Sequence, residues 1–284
     1  MPQARPNAPA ETRKLPWRRS LRTRLMLWSS LTSVLLLAGV ALTFFLTLRV
    51  VLVDKAEQDV RDLAGQSARS LQATLESVQV SAQALAGGAA GLGRAPANLT
   101  HLMKATLDAD PAIAGVMLII ETGRLTADDP GFDWYVRRDR QGLFESSVRA
   151  LGPEYADYRV FPWWIRTVTS EAGWWSEPYA NAATDGAFFI TYNLPLRRPG
   201  DAPGSEPVGM VSVDVPVQRL RAVLGRGDAN PRFRQMLLSP EQGLAIHPDP
   251  GLEQQASLPA IVQAGRSDLA PLAEHVAARR GPME

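Results

Sequence analysis

Residues 187–217 read AFFITYNLPLRRPGDAPGSEPVGMVSVDVPV, and this stretch decides the fold class. Its two ends, 187–196 and 208–217, are runs rich in β-branched and aromatic residues, which is the composition of β-strands. The segment between them, RRPGDAPGSEP (197–207), is a polar loop rich in Pro and Gly. The stretch therefore predicts two neighbouring strands joined by a loop.

The sequence on either side of this stretch predicts further strands and short helices. IAGVMLIIE (113–121) is an apolar run, and FDWYVRRD (132–139) alternates and carries aromatic residues. LTHLMKATLD (99–108) has helical character and is followed by Asp110-Pro111, and Gln218–Leu224 predicts another short helix. Successive strands with hairpin-like connections behind N-terminal helices predict an antiparallel sheet of the α+β class.

Composition excludes several function classes. The 284-residue chain has 30 Lys+Arg against 29 Asp+Glu, so it lacks the basic surplus typical of a nucleic-acid-binding protein. The absence of Cys excludes disulfides, thiolate metal sites and Cys nucleophiles. His101, His247 and His275 lie far apart and show no ligand spacing. We expect no metal, no cofactor and no nucleic-acid partner.

A membrane anchor is predicted near the N-terminus. Residues 1–24 carry a net charge of +6 and form a basic tail, whereas the remaining residues carry −5. The uncharged run Leu25–Leu48 is long enough, as a helix, to cross a hydrocarbon core of about 30 Å. A cleaved signal peptide is the alternative, but this run is too long and lacks a small-residue cleavage site. The positive-inside rule then places the tail in the cytoplasm and the chain after Arg49 outside.

Residues 49–89 predict a stalk helix that ends at Gly87-Gly88. Its apolar stripe, with alternating steps of four and three residues, consists of Leu71, Leu75, Val78, Ala82 and Leu85. Two interpretations remain open for this stripe. It forms a parallel homodimer seam with a second copy, or it packs against its own domain.

The last part of the chain, residues 232–284, predicts a second and smaller unit. FRQMLLSPEQGLAIHPDPG (233–251) has the pattern of a hairpin, and 259–281 is helical in character. This unit has too few strands to close a core. We therefore expect the sequence to be the front part of a longer protein.

The stretch YRVFPWWIRTV…GWWSEPYANAATDGAFFITYNLPL…VGMVSVDVPVQRL resembles the double Cache family of extracytoplasmic bacterial sensors. In that family a membrane helix leads to a long stalk helix, a membrane-distal PAS-like sheet and a smaller membrane-proximal module. The resemblance implies five segments, namely a tail (1–24), a transmembrane helix (25–48), a stalk (49–89), a distal ligand-binding module (90–224) and an incomplete proximal module (232–284). It implies a chemotaxis or other signal-transduction receptor in the inner cell membrane, with a periplasmic sensor.

The resemblance also implies candidate ligand contacts. Trp163 and Trp164 match the family's aromatic pair after the pocket helix, Tyr179 matches the Tyr of its W-S-x-P-Y strand, and Asp214 matches the Asp at the end of its V-D strand. The amino-acid-sensing members carry an Arg and an Asp where this chain has Phe161 and Asn181. The complete candidate set is Tyr158, Trp163, Trp164, Tyr179, Asn181 and Asp214.

The residues themselves indicate similar chemistry. Four of the seven Trp lie within 163–175, and aromatic faces attract cations, while Asp214 can pair with an ammonium group. Alternatively, each Trp is a core or sheet residue, with Trp174 and Trp175 on opposite faces of a strand. A charge inside the apolar run VSVDVPV is costly without a partner, so Asp214 either binds a ligand or pairs with Arg166 or Arg197.

Other candidate sites have weaker patterns. Asp128, Asp129 and Asp133 form a carboxylate cluster that either holds Ca²⁺ or lies in a solvated loop, and they lack EF-hand spacing. No catalytic motif occurs in the sequence. We predict a sensor for a small molecule, such as an amine or a quaternary ammonium, that signals to a cytoplasmic output domain beyond residue 284. The alternatives are an exported protein-binding module and a tethered hydrolase using Glu177 and Asp185.

Overall fold

The computed structural model describes residues 21–91, 96–124, 131–138, 144–147, 157–180, 187–202, 204–225, 235–239, 241, 243–247 and 257–278. The chain divides into two compact units, Met1–Arg61 and Asp62–Glu284. Most of the predicted basic tail, residues 1–20, lies outside the described residues.

The first helix, α1 (Leu21–Gly91), contains the predicted membrane segment. Among the described residues, α1 alone is long and apolar enough to cross a bilayer, with a window of mean hydropathy 2.4 and none of that window buried. Its apolar side chains between Leu25 and Val53 are exposed, as expected for a segment that contacts lipid. So many exposed apolar side chains in one run would favour aggregation in water, which agrees with the predicted membrane segment.

An antiparallel sheet forms the centre of the second unit. Its strands are β1 (Gly115–Ile120), β2 (Phe132–Arg138), β3 (Phe144–Ser147), β4 (Trp174–Trp175), β5 (Tyr179–Ala180), β6 (Phe188–Leu196) and β7 (Gly209–Pro216). Within the described residues the strand order is β3-β2-β1-β7-β6-β4, with β5 also paired to β6. The helices of this module are the C-terminal part of α1, α2 (Pro96–Ala109), α3 (Pro162–Thr169) and α4 (Val217–Gly225). The predicted α+β fold is confirmed.

One face of the sheet carries the apolar core. Alternate residues of β6, β7 and β1 point to this face, and Leu118, Val211 and Val213 among them are fully buried. They pack with Val78 and Leu85 from α1 and with side chains of α2. The stripe predicted on the stalk helix therefore contacts its own domain, which is the second of its two interpretations, and the homodimer remains a prediction.

The predicted end of the stalk helix at Gly87-Gly88 is wrong, because α1 continues to Gly91. The physical reason lies in packing rather than in backbone preference. A Cβ at Gly88 would lie 2.8 Å from a methyl group of Leu102 on α2, so the glycine allows the two helices to approach closely. Here glycine serves helix contact and does not terminate the helix.

The described residues after α4 form a short hairpin and two short helices. The predicted hairpin consists of β8 (Leu237–Leu238) and β9 (Leu244–Ile246), which pair antiparallel. The helical segment predicted over 259–281 is two helices, α5 (Leu258–Gln263) and α6 (Ala270–Ala278), with a 3-10 turn between them. The predicted helical character is therefore confirmed, and the break between the two helices lies at Gly265, whose φ of +116° interrupts an α-helix.

Candidate ligand-binding site

The second face of the sheet carries a group of polar side chains on β6 and β7, and α3 packs against this face. Thr191 and Asn193 on β6 lie directly opposite Asp214 and Ser212 on β7, so the four side chains share this face. All four are buried, although they alternate with the apolar residues of the core face. Polar groups in this position need hydrogen-bond partners or a ligand, because burial otherwise costs free energy.

Asp214 is the centre of a hydrogen-bond network. Its side chain is only 5% exposed. Thr191 donates from Oγ1 to Asp214 Oδ1 at 2.7 Å, and Tyr135 donates from Oη to Oδ2 at 2.8 Å. The hydroxyl groups of Tyr179 and Thr191 are 2.8 Å apart and form a further hydrogen bond. Tyr179 and Asp214, both predicted from the sequence, therefore belong to one network.

Tyr135 reaches Asp214 because a glycine lies between them. Gly115 on β1 pairs with Asp214 on one side and with Arg137 on the other. A Cβ at Gly115 would lie 2.8 Å from Cζ of Tyr135, so the tyrosine ring occupies the space that a side chain would fill. The absence of a side chain at Gly115 is thus what lets a residue of β2 donate to a residue of β7.

The electrostatics of the network are dominated by burial. Burial raises the pKa of the Asp214 carboxyl, and hydrogen bonds from Thr191, Tyr135 and Tyr179 act in the opposite direction. Burial also raises the pKa of Tyr135, and the charge of Asp214 raises it further, so Tyr135 stays protonated and remains a donor. A cation placed beside Asp214 would favour its charged form.

No described Lys, Arg or His forms a salt bridge with Asp214. The two arginines proposed from the sequence have other partners. Arg197 donates to the carbonyl oxygens of Ser170 and Glu171 at 2.9 and 3.2 Å. The guanidinium of Arg166 lies 3.9 Å from the centre of the Trp174 ring. The salt-bridge interpretation of Asp214 is therefore not what the structure shows.

An aromatic cluster lies nearer the other end of the same face. Trp163 and Trp164 are in the first turn of α3, which follows a short 3-10 helix (Tyr158–Val160). Tyr158 packs edge-on against Trp164 with ring centres 4.7 Å apart. Trp164 is 4% exposed and packs with Ile119 and Met210, which makes it a core residue.

The carboxylate and the aromatic cluster are separated along β7. Asp214 and Met210, which contacts the cluster, are four residues apart, a distance of about 13 Å at the usual strand rise. The buried pair Ser212 and Asn193 lies between them. The site therefore has an acidic end, a neutral polar middle and an aromatic end.

The other two tryptophans of the 163–175 segment, Trp174 and Trp175, lie on opposite faces of β4, as predicted. Trp175 packs against Tyr192 on the core side, with ring centres 5.2 Å apart. Trp174 pairs with Asn193 on the polar side, and its Nε1 donates to Thr167 Oγ1 at 3.0 Å. This hydrogen bond ties β4 to α3.

Sequence reasoning missed four residues of the site, namely Tyr135, Thr191, Asn193 and Ser212. Three of them were visible as polar residues at every second position of apolar strands, a pattern that places them on one face. Tyr135 had no such signal. Among the residues that the sequence did propose, Asn181 lies outside the described residues, as do Asp185, Asp128 and Asp129.

Two other predictions from the sequence concern Glu177 and a metal site. The carboxylate of Glu177 accepts a hydrogen bond from the backbone N–H of Glu241, in the β8–β9 connection, at 3.3 Å. Within the described ranges, no group of three or more His, Asp or Glu side chains could hold a metal ion.

The fold and the polar groups of this face can be compared with those of known proteins. Residues 99–222 match the family model described as methyl-accepting chemotaxis protein-like, first PDC sensor domain. The match spans less than half of the chain and confirms the resemblance to sensor domains of this kind that was drawn from the sequence. The matched family is a sensor domain rather than an enzyme.

Solved structures show the same fold. The extracellular domain of a candidate histidine kinase, soHK1S-Z6, is 23% identical with a TM-score of 0.57, over 77% of this chain and 80% of that one. Methyl-accepting chemotaxis protein X is 21% identical with a TM-score of 0.54, over 76% and 83%. The ligand-binding domain of the Pseudomonas aeruginosa PAO1 amino acid chemoreceptor PctC, in complex with GABA, is 21% identical with a TM-score of 0.53, over 72% and 81%. No curated protein matches this chain significantly. A PDC-type module behind an apolar helix is typical of a membrane receptor whose sensor domain faces outward.

Proposed function

We propose that residues 90–224 form a periplasmic sensor module that binds a small molecule through an ammonium group. The observation that carries this proposal is Asp214, a buried carboxyl that accepts two hydroxyl hydrogen bonds and has no described cationic partner. Keeping a charge buried without a counter-ion is unfavourable, and an ammonium ligand would supply that counter-ion.

The geometry favours an amine over a quaternary ammonium. A carboxylate has about four lone-pair positions. The hydroxyls of Thr191 and Tyr135 use two and that of Tyr179 is near enough to use a third, so at least one remains for an N–H donor. A quaternary ammonium has no N–H and depends on aromatic faces instead. Guanidinium groups of the protein already lie over Trp174 and Tyr158, at 3.9 and 5.0 Å from the ring centres.

The other candidate residues have proposed positions around the ligand. Tyr179, on β5, flanks the acidic end, and Asn181, two residues further along the chain, is proposed as a second ligand contact. Tyr158, Trp163 and Trp164 form the aromatic end, where Trp164 also stabilises the core. Phe161, in place of an arginine, removes a cation for a ligand carboxylate and supports a ligand recognised mainly by its amine.

The signalling route is part of the proposal. The chain would be a homodimeric inner-membrane receptor with tail 1–24 in the cytoplasm, span 25–48, stalk 49–89, the sensor module and a proximal module from 232. Glu177, two residues before Tyr179, contacts the β8–β9 connection and provides a physical link between the two modules. Ligand binding shifts such an equilibrium only by its different affinity for the two states. The output domain would lie beyond residue 284.

Thermal unfolding of the full chain in dodecylmaltoside micelles, followed by tryptophan fluorescence, tests the proposal. The ligands are simple amines, tetramethylammonium and simple carboxylates. A ligand at 100 times its Kd stabilises by about 2.7 kcal/mol, which corresponds to a Tm increase of about 5–10 °C for a domain of this size.

We expect the amine-induced Tm increase to vanish in Asp214→Asn and to persist in Glu206→Gln, an exposed carboxylate of the same module. An equal increase in both variants would contradict the proposal, as would stabilisation by carboxylates alone. No increase with any compound would favour the protein-binding alternative.

A further inference from the structure

Asn193 and Ser212 form a buried polar pair that the proposed function leaves unused. They are 4% and 3% exposed and lie opposite each other on β6 and β7. Ser212 donates from Oγ to Asn193 Oδ1 at 2.8 Å. Asn193 Nδ2 donates to the carbonyl oxygen of Thr191 at 3.4 Å, which is near the outer limit of a hydrogen bond.

The pair retains hydrogen-bonding capacity. A side-chain amide has two N–H donors, and among the described residues Nδ2 of Asn193 donates only in this one long contact. The Ser212 oxygen keeps its lone pairs as acceptors, since the hydroxyl donates to Asn193. The pair can therefore offer one N–H donor and several acceptors, with no charge.

The position of the pair fits a second point of ligand contact. Asn193 and Ser212 are each two residues from Thr191 and Asp214, a spacing of about 6.7 Å along a strand. Trp174 pairs with Asn193 from β4, and Met117 pairs with Ser212 from β1. The pair thus lies on the polar face between two large side chains, on the side of the sheet where α3 packs.

We propose that Asn193 and Ser212 are a specificity subsite for a neutral hydrogen-bonding group at the far end of the ligand. The subsite rests on the proposed function, because the ligand's amine is placed at Asp214. The ligand class is then a short linear amine with a terminal hydroxyl or carboxamide. A carboxylate fits poorly, since the pair offers a single N–H donor, adds acceptor oxygens and provides no cation.

Four C4 compounds test the subsite by calorimetric titration of the full chain in micelles: n-butylamine, 4-aminobutan-1-ol, 4-aminobutanamide and 4-aminobutanoate. One net hydrogen bond predicts that the alcohol and the amide bind about 3–10-fold more tightly than butylamine. The 4-aminobutanoate ion should bind no more tightly than butylamine.

Two variants locate the effect. Asn193→Leu, close in shape, should remove the affinity advantage that the polar-ended amines have over butylamine. Ser212→Ala is the smaller change and should reduce the affinity advantage of the polar-ended amines over butylamine. It replaces Asn193→Leu in the test if that variant fails to fold. Thr169→Val, at an exposed position of α3, is the control and should keep that advantage.

Each other outcome overturns the inference. If butylamine binds as tightly as the alcohol and amide, or if their advantage survives both variants, the pair is only structural and the amine site at Asp214 still holds. Tighter binding of 4-aminobutanoate would also overturn the subsite. If no amine binds, and Asp214→Asn changes nothing, the proposed function fails together with the subsite.

Discussion

Gly115→Ala is expected to destabilise the module through Tyr135 rather than through the strand itself. A Cβ at position 115 would lie 2.8 Å from Cζ and 3.0 Å from Cε2 of Tyr135, and the hydroxyl is its nearest neighbour. These approaches are shorter than ordinary van der Waals contact, so the ring has to move. A displaced ring no longer donates to Asp214 Oδ2.

The magnitude follows from three contributions. Losing a hydrogen bond to a charged group costs about 1.5–3 kcal/mol. Forcing extra volume into a packed site costs about 1–3 kcal/mol. Replacing glycine by alanine inside a strand offsets about 0.5–1 kcal/mol. We therefore expect a net loss of about 2–5 kcal/mol in the free energy of unfolding, or about 4–20 °C in Tm.

A double-mutant cycle with Tyr135→Phe tests the cause. The phenylalanine lacks the hydroxyl that meets the new Cβ, so Gly115→Ala should cost less in that background, with a coupling energy of about 1 kcal/mol or more. Gly87→Ala is the control, because its Cβ would meet nothing within 4 Å and alanine favours the helix. Neutral or stabilising behaviour of Gly115→Ala, or equal costs in both backgrounds, would refute the reasoning.

Two further predictions concern the carboxyl and the stalk. Burial raises the pKa of the Asp214 carboxyl in the folded protein above its value in the unfolded chain. The free energy of unfolding is therefore highest below the unfolded-state pKa and falls as the pH rises through the folded-state pKa. The fall is about 1.4 kcal/mol for each pH unit between the two pKa values. Asp214→Asn should abolish this pH dependence and be more stable than the wild type at neutral pH. Urea unfolding at several pH values measures both, and a variant that is less stable at neutral pH would contradict the prediction. Ala82→Leu should lower Tm by overpacking a fully buried position of its own domain, at a cost of about 1–3 kcal/mol. That loss should not depend on protein concentration, whereas a concentration-dependent loss would indicate a dimer seam at this position.

The long strands were predictable because their composition and alternation are local signals. Residues 187–196 and 208–217 became β6 and β7 with ends shifted by one residue. The two-residue strands β4 and β5 were expected only through the family resemblance and the tryptophan pair, because they exist only through pairing with β6. Such pairing depends on tertiary contacts that no short pattern encodes.

A residue of the site could be predicted when its neighbours in the sequence already marked it as unusual. Asp214 stood out as a charge within an apolar strand, and the structure places it in the network. Tyr135 did not, because its contact requires the strand order β2-β1-β7 and the empty space above Gly115. Only the topology brings a residue 79 positions away into hydrogen-bond distance.

The position of Asp214 is itself an argument for ligand binding. Strand β7 lies between β1 and β6 and is buried on both faces, so it is where a carboxyl is most costly to the fold. Thr191, Tyr135 and the glycine at 115 all orient or accommodate that one group, which a purely structural core would not need. Natural proteins retain destabilising residues chiefly where function depends on them. If Asp214→Asn both stabilises the module and abolishes amine binding, the carboxyl is there for the ligand, whereas stabilisation with binding intact would leave its presence unexplained.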